Sequence, residues 1–153
     1  MLKLKTHKYY FFLALLMALA YLISKLLKLT FVFNIVGTYS VILYSDIFVF
    51  MFLSVLILAL IYWSLFKGNI KLIDGLSKIH TTITIAGVLL FTIFLSFYDF
   101  VSPSGANSRF PLFDNPIKNT KVLVTIIVTV SVSQLILILN IVISLVKYFQ
   151  KTD

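Results

Sequence analysis

Four apolar runs of nineteen to twenty-five residues limit what this chain can fold into more than any other feature. They extend from Tyr9 to about Leu27, from Ile47 to Phe66, from Ile79 to Tyr98 and from Val122 to Val146. A helix rises about 1.5 Å per residue, so about 20 apolar residues cross a hydrocarbon core of about 30 Å. The second run holds no charge at all. None of the four contains proline, and Pro103, Pro111 and Pro116 all lie between the third and fourth. Stretches such as Val122-Leu123-Val124-Thr125-Ile126-Ile127-Val128 are rich in β-branched residues, but buried strands run about 4–8 residues, far shorter than these runs. An unpartnered strand in lipid would also leave its backbone polar groups unsatisfied, which a helix does not. The expected fold class is all-α: a polytopic membrane protein with four transmembrane helices, at about 9–27, 39–66, 79–98 and 122–146, forming one domain over residues 1–153.

Composition closes off the alternatives. The chain is 61% hydrophobic and 12% charged, against about 45–50% and about 25% for a soluble domain. Disorder needs low hydrophobicity and high charge, the reverse of this. Cysteine is absent, so there is no disulfide framework and no thiolate chemistry. The net charge of +8 points to anchoring at a membrane surface and not to nucleic acid. With four spans, both tails and the 67–78 loop share one side. That side carries Lys3, Lys5, Lys8, Lys67, Lys71, Lys78, Lys147 and Lys151, and the other carries Lys25, Lys28, Arg109, Lys118 and Lys121. Eight against five places both termini in the cytoplasm.

Two segments need separate comment. Lys3, Lys5 and Lys8 before an apolar stretch, with Ala18-Leu19-Ala20 further on, have the outline of a cleaved leader. Apolarity continues through Tyr21-Leu22-Ile23 and Leu26-Leu27, too long for a leader core, and a retained helix is expected. The 29–46 stretch is too apolar for a solvated loop; the second helix is expected to begin near Tyr39, placing Asp46 two turns inside its outer end.

Residues able to carry chemistry in or near the membrane are few. Asp46 is either a proton or cation site or a carboxylate in the outer headgroup zone, since a buried aspartate costs about 2.5–3.5 kcal/mol at a helix centre and less near an interface. His80 opens the third helix; its unperturbed pKa of about 6.5 suits a proton switch, while a lone histidine with no carboxylate close in sequence fits an interfacial position. His7 falls in the basic tail, where it is expected to be solvated. Two histidines without cysteine do not make a transition-metal site. No phosphate-binding loop, nucleophile elbow or carboxylate pair is present. On the fourth helix Thr125, Thr129, Ser133, Asn140 and Ser144 fall within about 100° of arc, flanked by Gln134. The third helix carries a companion face of Ser77, His80, Thr84 and Gly87. Small and hydroxylated faces let helices approach closely and bond across the gap, so packing is the expected role of both.

The order of these segments resembles a known architecture. Gly37-Thr38-Tyr39-Ser40-Val41-Ile42-Leu43-Tyr44-Ser45-Asp46 leads into a long apolar helix ending Ile61-Tyr62-Trp63; Lys78-Ile79-His80 opens a helix containing Ala86-Gly87-Val88; and a connection with Arg109, Pro111, Asp114 and Pro116 precedes the last helix. From about Asn34 to Lys147 this is similar to the C-terminal quarter, helices nine to twelve, of subunit I of the haem–copper oxidases, with the first span in the place of helix nine. In that family a His-x-His on the tenth helix ligates two haem irons, and an arginine pair meets the haem propionates. Here the two histidines fall on Tyr44 and Asp46, and the arginine pair is reduced to Arg109. The copper ligands lie on earlier helices, outside this sequence. The resemblance implies the quarter's scaffold, with the C-terminus inside, but no haem or copper chemistry. No catalytic residue, cofactor or metal is therefore expected. The sequence reads as a non-enzymatic accessory, assembly or scaffold component of a membrane complex, in contact with lipid and with other membrane subunits or copies of itself. It would lie in the cytoplasmic membrane of a bacterium or, alternatively, in the mitochondrial inner membrane. The alternative function is proton or ion conduction through Asp46, assisted by Tyr44 and His80. The polar residues on which these readings turn are Tyr44, Asp46, His80, Arg109, Ser133 and Asn140.

Overall fold

A computed structural model describes residues 6–35, 38–101 and 116–150, and for residues 31–35, 38–40, 97–101 and 116–120 the backbone alone. Its elements are α1 (Thr6–Leu26), β1 (Thr30–Ile35), β2 (Thr38–Leu43), α2 (Tyr44–Lys67), α3 (Asp74–Val101) and α4 (Pro116–Phe149). All four helices are long and apolar enough to cross a membrane. The protein is a multi-pass, four-helix membrane protein of the all-α class, as its apolar runs require. Its contacts divide it into two compact units, Met1–Lys71 and Leu72–Asp153, where the apolar runs alone suggest one domain. Each unit is built on a pair of helices and is described by itself.

In the first unit α1 turns Tyr10, Leu13, Ala14, Met17 and Ser24 inward, a spacing of three, four and seven residues that keeps one face toward a partner. α2 answers with Phe48, Val55, Ala59 and Tyr62. The small residues Ala14 and Ala59 leave room for aromatic packing: the Tyr10 and Tyr62 rings stack at 5.3 Å between centroids, and His7 lies 5.1 Å from the Phe66 ring. His7 is therefore half-buried within α1 and not in a solvated tail, because the helix begins at Thr6, three residues earlier than the apolar run suggested.

The second helix is also shorter than expected at its start. Residues 39–43, expected as its first turns, belong instead to β2, paired antiparallel with β1 in a register running from Thr30 opposite Leu43 to Ile35 opposite Thr38. Both stretches are dense in β-branched and aromatic residues and are separated by two residues, a hairpin pattern. Strand pairing satisfies their backbone, and the helix takes over only at Tyr44, whose N–H donates to the Leu29 carbonyl at 3.0 Å. The 24 residues of α2 still span about 36 Å. A two-stranded ribbon has open edges that hydrocarbon does not tolerate, which keeps the hairpin out of the hydrocarbon core.

Both helices of this unit end in the same way. After α1, Leu29 N–H donates to Ser24 O and Lys28 N–H to Lys25 O; after α2, Ile70 N–H donates to Leu65 O and Asn69 N–H to Phe66 O. This double bond pattern closes a helix through one left-handed residue, and Lys28 (φ 51) and Asn69 (φ 55) occupy those positions. Asparagine tolerates that conformation; lysine has no such excuse.

In the second unit α3 and α4 run antiparallel over 28 and 34 residues, longer at both ends than the runs 79–98 and 122–146. Outward-facing Leu135, Ile138, Leu139 and Val142 on α4 are all exposed, a continuous apolar face suited to acyl chains.

Candidate functional site: a polar seam between α3 and α4

Seven polar side chains are buried among the described residues, and five of them (His80, Thr84, Ser133, Asn140 and Ser144) belong to α3 and α4. They arise from the two polar faces of these helices, and as residue numbers rise along α3 their partners' numbers fall along α4. At the top of this seam Gly87 removes a side chain where the helices come closest: a Cβ there would collide with the Val130 side chain.

One turn along, four side chains meet. His80 Nε2 lies 3.1 Å from Gln134 Oε1, and the Thr84 hydroxyl lies 3.3 Å from His80 Nε2 and 3.3 Å from the Ser133 hydroxyl. The Gln134 amide donates to the Val130 carbonyl at 3.0 Å and to Ser133 Oγ at 3.3 Å, while Ser133 donates to the Val130 carbonyl at 2.7 Å. His80 and Thr84 are respectively 0% and 1% exposed, so these bonds are made away from water, where an unmade one would be costly.

Two turns further Asn140 closes the seam. Its Oδ1 accepts the Ile73 N–H at 2.9 Å, and its Nδ2 donates to the Ile73 carbonyl at 3.2 Å and to Ser77 Oγ at 3.0 Å. Ile73 immediately precedes α3, and its carbonyl also accepts the Ser77 N–H that starts the helix. The Asn140 amide thus pairs with a peptide unit as another peptide would, fixing where α3 begins. Ser144 leans on the same Oδ1 at 3.5 Å.

Of the residues singled out in the sequence, His80, Ser133 and Asn140 lie along the seam of the second unit, while Tyr44 and Asp46 belong to the first. Tyr44 is buried against Phe48 in the first unit, with ring centroids 6.4 Å apart. Asp46 is exposed in the first turn of α2, not two turns inside it, because the helix starts at Tyr44. Arg109 lies outside the described residues. Thr125 and Thr129, expected on the buried stripe, are exposed and donate to carbonyls of their own helix, Lys121 and Thr125, at 2.8 Å each. The stripe is used only from Ser133 onward.

Sequence reasoning did not anticipate the Ile73 peptide as a partner, since a backbone group at a helix start carries no side-chain signature. The Thr81 hydroxyl is enclosed with no hydrogen-bond partner among the described residues, and nothing in the structure accounts for it.

Chemically the seam offers one imidazole, two amides and several hydroxyls, bonded to one another and to backbone. No three His, Cys, Asp or Glu side chains gather among the described residues in a way that could hold a metal ion. Comparison with known proteins finds no matching family model, no matching curated protein and no matching solved structure.

Proposed function

We propose that this chain is a non-enzymatic integral membrane protein that serves as an accessory, assembly or scaffold component of a larger membrane complex. The observation that carries the proposal is the use of the polar seam. The side chains best equipped for chemistry within the spans, His80, Gln134 and Asn140, take their partners from the facing helix and its backbone. Interhelical bonds of this kind contribute about 0.6–2 kcal/mol each in membranes, which suits a body that has to hold its shape in lipid. The resemblance to the last quarter of an oxidase subunit I gives the same reading: a scaffold retained after its metal-binding residues have gone. The excess of lysine on the side of the termini favours both tails in the cytoplasm, of a bacterium or, alternatively, in the corresponding compartment inside the mitochondrial inner membrane.

Purification in a mild detergent, followed by native mass spectrometry of what stays bound, tests the proposal. The expected result is a stable assembly with other membrane subunits or with further copies of this chain. A strictly monomeric protein that dissipates a proton gradient in liposomes, with the leak abolished by Asp46→Asn, would replace the scaffold reading with the conduction one.

A further inference from the structure

We infer that the cleft between α1 and α2 beside the hairpin binds a bilayer phospholipid whose head carries both a phosphate and a primary amine. The cleft encloses about 740 Å³; Lys25, Lys28 and Asp46 line its hairpin end, and Val49 and Leu53 line its other end. A smaller cavity of about 210 Å³ shares Val49 and Leu53 with it and reaches Ala18. Charge at one end and an apolar arm at the other match an amphiphile lying along the helix pair, with its head in the layer that holds the hairpin.

Three features at the charged end fit a phosphate. Lys25 is held in place, its Nζ donating to the Tyr21 hydroxyl at 3.0 Å and lying 5.4 Å from the Tyr21 ring centroid. Lys28 sits at the left-handed residue that closes α1, with φ 51, where glycine is the usual occupant. The residue there is a lysine, which places a cation at the cleft's rim. The third feature is the start of α2, where the Leu29 carbonyl takes the Tyr44 N–H but Leu43 provides no side-chain cap to the N–H groups that follow; such a helix start and its dipole attract an anion.

Asp46 then selects the rest of the head. Neither Lys28 nor Asp46 pairs with a charged side chain among the described residues. A carboxylate beside a phosphate site repels a purely anionic head and welcomes one that also brings an ammonium able to donate hydrogen bonds. Ethanolamine-type heads meet both demands; the quaternary amine of a choline head cannot donate.

The test is native mass spectrometry of delipidated protein titrated with phosphatidylethanolamine, phosphatidylcholine or inorganic phosphate. Wild type is expected to retain phosphatidylethanolamine in preference to phosphatidylcholine, and inorganic phosphate not to compete. Lys28→Gly is expected to lower phosphatidylethanolamine affinity about tenfold, the loss of one bond to a charged group, while thermal unfolding stays level or rises because glycine relieves the left-handed position. That opposition separates lost binding from lost folding. Asp46→Asn should erase the preference between the two lipids, and Val49→Trp should fill the apolar arm and weaken both. Equal retention of the two lipids by wild type, indifference to Lys28→Gly and Val49→Trp, or competition by inorganic phosphate would each overturn the inference.

Discussion

Gly87→Ala is expected to destabilise the α3–α4 pair by about 1–3 kcal/mol, the range for forcing atoms into a filled contact. In an ordinary helix the same change is worth up to about 1 kcal/mol in the other direction, because alanine is the better helix former. The sign decides the matter. At Gly87 the added methyl would occupy the space of the Val130 side chain, so the helices must separate, and the bonds among His80, Thr84, Ser133 and Gln134 one turn away lengthen with them. Thermal unfolding in detergent, followed by circular dichroism, measures the loss. Val130→Ala in the same chain should recover most of it, since the two substitutions share one contact and will not add. A Gly87→Ala protein that melts above wild type would mean that α3 and α4 do not meet at this point.

Asn140→Leu is the second large expectation. The asparagine amide is fully buried and serves both polar groups of Ile73 as well as the Ser77 hydroxyl. Leucine is similar in size and more at home in lipid, yet it leaves the Ile73 N–H without its acceptor and the α3 start without its anchor. A loss of about 2–4 kcal/mol follows from the orphaned groups, each costing about 1–3 kcal/mol, offset in part by the gain in apolar contact. Hydrogen exchange locates the damage: amides from Ile73 to Ser77 should lose protection before any others in α3. Asn140→Asp should not rescue it, because the carboxylate keeps the acceptor for the Ile73 N–H but loses both donors and brings a charge into the helix interface.

How far the sequence foretold these features depends on what kind of signal each one leaves. Four long apolar runs dictate four helices, because lipid forbids any other use of them. The faces that hold His80, Thr84, Gly87, Ser133 and Asn140 follow from helical periodicity, and the structure pairs them. Thr125 and Thr129 share the same periodicity and remain exposed, since where two helices diverge depends on tertiary packing that periodicity does not encode. The hairpin at 30–43 departs from the sequence reading, which assigns residues 39–43 to α2. An apolar run of strand length next to an apolar helix gives no boundary on hydrophobicity alone, and the β-branched density of Thr38–Leu43 was the signal that distinguished them. Asp46 changed its depth with that boundary. The Asn140–Ile73 clasp had no signature, because one partner is a peptide unit.

The polar seam holds α3 and α4 together through the bonds of His80, Thr84, Ser133, Gln134 and Asn140. Leucine at both Ser133 and Asn140 tests it most directly, with thermal unfolding in detergent as the readout. The expected protein melts well below wild type, by about 3–5 kcal/mol of lost stability, and loses its native assembly. A doubly substituted protein that melts and assembles like wild type, or better, would contradict it.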